Sequence, residues 1–158
     1  PVALTKAVLP AMRARRAGRI VVISSVMGYV GTPGRSSYAA AKHALHGYFD
    51  SLRAEIWREG IGVTLVCPGY VKTAVSDNAL GPRGEKHGQT DDTHQSGISA
   101  EQCAAAIVRA VARGREEIYV GREAYAIYVK RFLPWLFSRI VRRMKFSVDG
   151  SAHAGKTS

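Results

Sequence analysis

The chain has 158 residues, of which 46% are apolar, and this is enough for one packed domain. Its 23 basic and 12 acidic residues give a net charge of +11, which fits nucleic acid, an anionic membrane surface or an acidic small molecule without choosing among them. The two cysteines, Cys67 and Cys103, exclude a disulfide scaffold and are predicted to be core thiols. No apolar run reaches the roughly 18 residues of a membrane span, so we expect a cytoplasmic protein.

The first part of the chain predicts a helix, a strand and a second helix. Apolar residues recur at helical spacing over residues 2–16, and Gly18 is expected to close this helix. The pattern starts at Pro1 without an entry signal, as expected of a fragment. The run RIVVIS is typical of a strand buried on both faces, because it is continuous and β-branched. A glycine-rich loop follows, and then a long helix is predicted over residues 37–58, closed by Gly60.

The second part continues the alternation of strands and helices. The run GVTLVC predicts another buried strand, ended by Pro68 and Gly69. Residues 72–97 are polar and aperiodic, which indicates a long lid or binding loop. Ser99 is expected to open a helix that runs to Gly114, and EIYV predicts a short third strand. A basic and apolar helix closes the chain, and Pro134 permits only a broken helix or a fresh start there.

This order of elements predicts an α/β fold in which helices cover a parallel sheet. Such sheets bind ligands beyond the carboxyl ends of their strands. Ser24 and Ser25 follow the first predicted strand, and Pro68 and Gly69 follow the second. We therefore expect these four residues to face one crevice.

A tyrosine and a lysine near the start of the long helix suggest proton transfer at this crevice. Tyr38 and Lys42 are four residues apart, so their side chains lie on one helix face. A phenol has a pKa of about 10, and a nearby ammonium group favours its ionised form. Ser25 lies 13 residues before Tyr38 and could donate a hydrogen bond to the same reacting oxygen. The three groups fit the interconversion of a carbonyl and an alcohol.

The same pair of residues also occurs in many helices that have no catalytic role, and serines are common at strand ends. What favours a function is the ordered set: strand-Ser-Ser with Gly28 after it, Tyr38-x-x-x-Lys42, and PGYVKT after the next strand. This set resembles the short-chain dehydrogenases/reductases and, more narrowly, their member 7B group. The resemblance covers residues 1 to about 125.

The resemblance implies a role for each motif residue. Tyr38 would be the general acid or base, and Ser25 would orient and polarise the carbonyl, with Ser24 as the competing serine. Lys42 would stabilise the phenolate of Tyr38 and bind the ribose hydroxyls of the nicotinamide cofactor. The remaining cofactor contacts, along the nicotinamide and near its amide and phosphates, would come from Pro68, Gly69, Val71 and Thr73.

The family fold implied is a Rossmann-type, doubly wound parallel sheet, of which this sequence would form the C-terminal half. Residues 1–125 would be the catalytic half of one NAD(P)-binding domain, and residues 126–158 a basic and apolar helix and tail. The family's glycine-rich turn and the residue that selects NAD or NADP are expected upstream of Pro1. The cofactor is therefore NAD or NADP, and we expect the fragment alone to be inactive.

The expected partners are a small carbonyl or alcohol substrate, which the 7B resemblance suggests is lipid-like, and further copies of the chain. The two long helices have more apolar surface than one sheet face needs, so a homodimer or homotetramer is predicted. The tail has no acidic residue over 124–148, which fits either peripheral contact with an anionic membrane or packing over the substrate pocket or a subunit. A non-catalytic basic module at a membrane or nucleic acid is the alternative, but no nucleic-acid motif is present. No metal site is expected, since His43 and His46 have no third ligand near them in sequence.

Overall fold

A computed structural model describes residues 1–72 and 97–144 of the chain. Most of the predicted long loop, with Thr73, and the last fourteen residues of the tail lie outside this part. The helices are α1 Val2–Arg15, α2 Ser36–Ile56, α3 Ala100–Ala112, α4 Tyr125–Phe132 and α5 Pro134–Arg142. The strands are β1 Gly18–Ile23, β2 Ile61–Pro68, β3 Val71–Lys72, β4 Ile98–Ser99 and β5 Glu117–Val120, and short 3-10 helices span Val26–Gly28 and Arg122–Ala124.

The strands form a parallel sheet in the order β1-β2-β5, which confirms the predicted α/β class. β1 pairs with β2 from Gly18 opposite Ile61 to Ile23 opposite Val66, and β5 begins with Glu117 opposite Leu65. The central strand β2 is fully buried over residues 63–67 because it has a neighbour on each edge and helices on each face. The carboxyl ends of β1, β2 and β5 therefore meet at one edge of the sheet.

One face of the sheet carries the main hydrophobic core. Phe49, Leu52 and Ile56 of α2 pack there on Val63 and Leu65 of β2, together with Leu9 of α1 and the even-numbered side chains of β1. Alternation along β2 directs its neighbouring side chains to the other face, where α3 packs. Helices thus lie on both faces of β2, as in a doubly wound sheet. The prediction that β1 is buried on both faces is wrong for the described residues, because Val21 and Ile23 are exposed on the face opposite α2.

The stripe that anchors α2 to the sheet also positions its first turns. The buried side chains of α2 recur at helical spacing, at Ala39, His46, Phe49, Leu52 and Ile56. Burial along this stripe fixes the rotation of the helix about its axis. Its amino-terminal end is consequently held beside the carboxyl end of β1.

The end of α1 differs from the prediction. The left-handed capping residue is Arg16, with φ 51°, and Gly18 instead begins β1. A Cβ at Gly18 would lie 2.7 Å from the Met12 sulfur, so glycine serves close packing there rather than helix termination. The glycine predicted to close α2 does have a left-handed conformation: Gly60 has φ 73°, and a Cβ there would lie 2.1 Å from the Arg16 carbonyl oxygen.

The carboxyl-terminal region folds as two short helices because Pro134 starts a new one. Leu133 separates them, and Pro134 occupies the first position of α5, where its missing N–H costs nothing. Ile127 of α4 packs against Val26 and Val30, with Phe137 of α5 half-buried beside them. Within residues 1–72 and 97–144, no helix is long and apolar enough to cross a membrane.

Candidate active site

The two serines after β1 face different surroundings. Ser24 is 3% exposed, and its hydroxyl oxygen lies 2.8 Å from Nε2 of the buried His46. Ser25 is half-buried, accepts a hydrogen bond from the Met27 amide at 3.2 Å and donates one to the Pro68 carbonyl at 3.5 Å. Ser25 therefore lies between the carboxyl ends of β1 and β2, whereas the Ser24 hydroxyl is held inside the protein.

The tyrosine and lysine of α2 lie at the same edge. The Lys42 ammonium group donates a hydrogen bond to the Ile23 carbonyl at 3.1 Å, directly before the two serines. The same nitrogen lies 5.5 Å from the centre of the Tyr38 ring, and Tyr38 is 44% exposed. The side chain of Lys42 thus connects the start of α2 to the end of β1, with an accessible phenol next to it.

The turn after β2 is held by the end of β5. The Gly69 amide donates to the Val120 carbonyl at 2.8 Å, and the Tyr70 amide donates to a Glu123 carboxylate oxygen at 3.4 Å. A Cβ at Gly69 would lie 2.1 Å from that carboxylate and 2.9 Å from the Glu123 Cβ, so a side chain there would displace Glu123. Val71 continues into β3, which pairs with β4. Of the predicted cofactor-binding residues, only Thr73 lies outside the described part of the chain.

A polar network lies beneath this edge and was not predicted. Glu117, on β5, accepts hydrogen bonds from the Tyr29 hydroxyl, the Cys67 thiol at 3.5 Å and the Tyr119 hydroxyl at 2.9 Å. The ring of His46 lies edge-on to that of Tyr29, with centroids 4.4 Å apart. His46 is buried, and so are both cysteines, the latter as predicted.

Burial governs the titration of this network. It lowers the pKa of the His46 imidazole, and it raises the pKa of the Tyr29 phenol, where the hydrogen bond to Glu117 adds to the effect. Burial also raises the pKa of Tyr119 to about 12 and raises that of the Cys67 thiol. At neutral pH the histidine, the phenols and the thiol are therefore uncharged around one carboxylate.

Three possible metal ligands of the network, His46, Cys67 and Glu117, lie within 4.8 Å of one another. The Glu117 carboxylate already accepts three hydrogen bonds, and burial keeps the Cys67 thiol protonated. A metal would have to displace these protons. We therefore describe the group as a hydrogen-bond network.

The structure is that of an α/β protein with serine, tyrosine and lysine side chains at the carboxyl edge of its parallel sheet, where such sheets bind ligands. The family model described as short chain dehydrogenase matches residues 1–82, just over half of the chain. The chain therefore belongs to the short-chain dehydrogenases.

Relatives and solved structures agree with this assignment. The chain is 43% identical to dehydrogenase/reductase SDR family member 7B of Bos taurus, covering 89% of this chain and 44% of the relative. It is 42% identical to dehydrogenase/reductase SDR family protein 7-like of Anopheles gambiae, over 90% of this chain and 45% of that protein. The chain thus spans about half the length of the curated relatives it matches.

The fold is also that of known short-chain dehydrogenase structures. One from Streptomyces avermitilis has a TM-score of 0.68 and 29% identity, covering 92% of this chain and 58% of its own. One from Burkholderia cenocepacia, solved in complex with NADP, has a TM-score of 0.70 and 24% identity, covering 89% and 54%. At 24% identity, the Burkholderia structure shows that the fold is shared and no more.

Proposed function

We propose that the whole protein is an NAD(P)-dependent oxidoreductase that interconverts a carbonyl compound and a secondary alcohol. The observation that carries this proposal is the placement of Lys42: its ammonium group lies 3.1 Å from the Ile23 carbonyl at the sheet edge and 5.5 Å from the Tyr38 ring. Family membership and the exposed phenol support the same assignment.

In this mechanism each residue has a separate task. Tyr38 donates its hydroxyl proton to the carbonyl oxygen during reduction and takes a proton from the alcohol during oxidation. Lys42 stabilises the phenolate that remains after donation. Ser25 turns its hydroxyl from the Pro68 carbonyl, where the hydrogen bond is long at 3.5 Å, toward the substrate oxygen and stabilises the charge that develops there. The half-buried position of Ser25 supports its choice over Ser24, whose hydroxyl is already bound to His46.

The cofactor is NAD or NADP, and we assign contacts with its nicotinamide half to the predicted motif residues. Lys42 offers a donor for ribose hydroxyls, and the backbone of Pro68, Gly69 and Val71 would run along the nicotinamide, with Thr73 near its amide and phosphates. The close approach enforced at Gly69 leaves this backbone without a side chain on the Glu123 side. The nicotinamide, when bound, supplies or accepts the hydride. The NADP complex of the Burkholderia relative supports a nicotinamide ligand for this chain.

The first test is an assay of the full-length protein. We expect the absorbance of NADH or NADPH to fall when carbonyl compounds are added, and to rise from NAD⁺ or NADP⁺ with secondary alcohols. Long-chain ketones should be turned over with higher kcat/KM than short ones if the substrate is lipid-like. Absence of turnover with either cofactor across both panels would contradict the proposed function.

The same sample tests assembly. Leu4 and Val8 of α1 and Trp57 at the end of α2 expose apolar surface, with Trp57 66% exposed. We propose that these side chains lie in a homodimer or homotetramer interface. Light scattering of the full-length enzyme at micromolar concentration should therefore give a multiple of the monomer mass, and a monomer mass would contradict it.

The tail supports a second, peripheral interaction with an anionic membrane. No residue between 124 and 144 is acidic, while Trp135 is 67% exposed and Phe132 72% exposed. No residue of α5 is buried, and Phe137 is half-buried against the protein body. Basic side chains accompany the exposed aromatic ones, at Lys130, Arg131, Arg139, Arg142 and Arg143. Such a surface binds the interface of an anionic bilayer rather than its interior.

We expect the full-length protein to co-sediment with anionic vesicles and not with neutral ones. Each basic residue near the surface contributes about 1 kcal/mol, so Arg139→Gln with Arg142→Gln should weaken binding about thirtyfold. Trp135→Ala should also weaken it, whereas Val108→Ala, which trims an equally exposed apolar side chain of α3, is the control and should leave binding unchanged. Equal binding to both vesicle types, or no loss on deletion of residues 130–158, would instead assign the tail to the protein's own packing.

A further inference from the structure

His46 joins the helix of the proposed acid–base pair to the turn that carries the serines. It follows Lys42 by four residues and Tyr38 by eight, so the three side chains occupy successive turns of one face of α2. Its Nε2 lies 2.8 Å from the Ser24 hydroxyl oxygen. This contact is the buried counterpart of the Lys42 hydrogen bond to Ile23, one turn earlier. Two side chains of α2 therefore hold consecutive residues of the chain as it leaves β1.

The 3-10 helix Val26–Gly28 closes over the imidazole without free space. A Cβ at Gly28 would lie 2.2 Å from His46 Nε2 and 2.9 Å from the Ser24 hydroxyl oxygen. The glycine after the paired serines is thus explained by the ring beneath it. Ser25 caps this turn, because its hydroxyl accepts a hydrogen bond from the Met27 amide. The packing of the turn on the imidazole therefore also sets the position of Ser25.

The carboxylate of Glu117 lies near the other ring nitrogen of the imidazole. His46 Nδ1 is buried and has no hydrogen-bond partner among the described residues, but it lies 3.8 Å from a Glu117 carboxylate oxygen. That carboxylate is itself fixed by the hydroxyls of Tyr29 and Tyr119. A negative charge on this side favours the proton on Nδ1, which leaves Nε2 to accept the Ser24 hydroxyl proton. Ser24, at 3% exposure, cannot meet a substrate, so the chain of contacts holds a position rather than activating a nucleophile.

We propose that His46 is a positioning residue: oriented by Glu117 and bonded to Ser24, it fixes the Ser25 turn relative to Tyr38 and Lys42. The inference rests on the proposed function, because Ser25 and Tyr38 must address the same substrate oxygen. An error of about 1 Å in such an alignment can reduce the rate about a hundredfold. His46 acts through Ser24 and the turn, and does not contact the reacting atoms.

The test uses the full-length enzyme with four variants. His46→Leu keeps the bulk and removes the hydrogen bond, His46→Gln places an amide near the Nε2 position, Ser24→Ala removes the partner, and the double variant combines His46→Leu with Ser24→Ala. We expect His46→Leu to lower kcat about tenfold or more with little change in the KM for the cofactor. His46→Gln should recover most of the rate. The double variant should be no slower than His46→Leu, because both changes remove one contact.

The exposed His43, on the same helix, provides the matched control, and His43→Leu should stay within about twofold of the wild-type kcat, as expected for a surface substitution. Hydrogen exchange of the backbone amides of residues 25–28 is read alongside, since it does not depend on turnover. It should be faster in His46→Leu and normal in His46→Gln.

The outcomes separate this inference from the proposed function. A His46→Leu enzyme with wild-type kcat, a His46→Gln enzyme as slow as His46→Leu, or rate losses that multiply in the double variant would each overturn the positioning role. If the wild-type enzyme has no activity with either cofactor, the proposed function fails, and the exchange data decide alone. Faster exchange confined to His46→Leu would then support the role of His46 in fixing the turn of residues 25–28, and unchanged exchange would overturn it.

Discussion

Tyr38→Phe is expected to remove nearly all turnover of the full-length enzyme, by about a thousandfold or more. General acid–base catalysis contributes about 10²–10⁴-fold, and phenylalanine keeps the ring but has no proton to transfer. Tyr38 is 44% exposed, so loss of its hydroxyl leaves no buried polar group without a partner. The melting temperature and most of the cofactor affinity should therefore persist. Steady-state kinetics, thermal unfolding and cofactor titration measure the three quantities.

Tyr48 serves as the control for this substitution. It lies on the same helix but packs, half-buried, against the hydrophobic core away from the strand ends. Tyr48→Phe should leave kcat within about twofold of the wild type, as for most substitutions remote from a site. Substantial turnover in Tyr38→Phe would assign the proton transfer to another group.

Lys42→Ala is expected to damage both rate and cofactor binding. The ammonium group next to the Tyr38 ring is the proposed stabiliser of the phenolate, and the same group is the proposed donor to the cofactor ribose. Loss of a hydrogen bond from a charged group costs about 1.5–3 kcal/mol, so the cofactor Kd should rise about ten- to a hundredfold. Cofactor fluorescence measures this change, and kcat at saturating cofactor measures the separate loss of phenolate stabilisation.

Two comparisons make the Lys42 result specific. Lys42→Arg keeps the charge but changes its geometry, and should recover part of the cofactor affinity but less of the rate. Lys6→Ala removes an exposed lysine of α1 and should change neither. A Lys42→Ala enzyme with normal cofactor affinity would restrict Lys42 to the proton-transfer step.

The sheet could be predicted from the sequence because its strands are continuous apolar runs. The runs beginning at Arg19 and Gly62 and the run EIYV match β1, β2 and β5 to within one residue at each end. Ser99 caps α3 as expected. Its hydroxyl accepts a hydrogen bond from the backbone amide of Gln102, and the Gln102 side chain accepts one from the backbone amide of Ser99. Such signals depend only on residues that are adjacent in sequence, so the sequence alone is enough to predict them.

What the sequence did not predict depends on contacts between distant segments. β3 and β4 have two residues each, too few for any periodicity, and they exist because they pair with each other. Arg16 takes the left-handed cap although glycine is favoured there, while Gly18 lies close to the Met12 side chain, a contact between separate positions that no local pattern predicts.

The candidate site divides in the same way. The positions of Ser25, Tyr38 and Lys42 at one edge follow from short-range spacing, and their catalytic roles stay predictions. The contacts of His46 with Ser24 and Glu117 were missed because both partners are distant in sequence. Ser24 lies 22 residues before His46, and Glu117 comes from β5, near the other end of the described chain. The spacing of Tyr38, Lys42 and His46 along one helix face was the available signal.

The edge strand β5 also determines when the site is completed as the chain folds. β1, α2 and β2 are consecutive, so their association closes short loops, whereas Glu117 meets Tyr29 across 88 residues of chain. Closure of longer loops loses more entropy, and pairings of this kind are slow steps of folding. His46 can therefore reach the serine turn early, while the carboxylate that orients it arrives with β5. Until that strand docks, no carboxylate lies beside Nδ1 of His46, so we expect the orientation of the imidazole to be set late in folding.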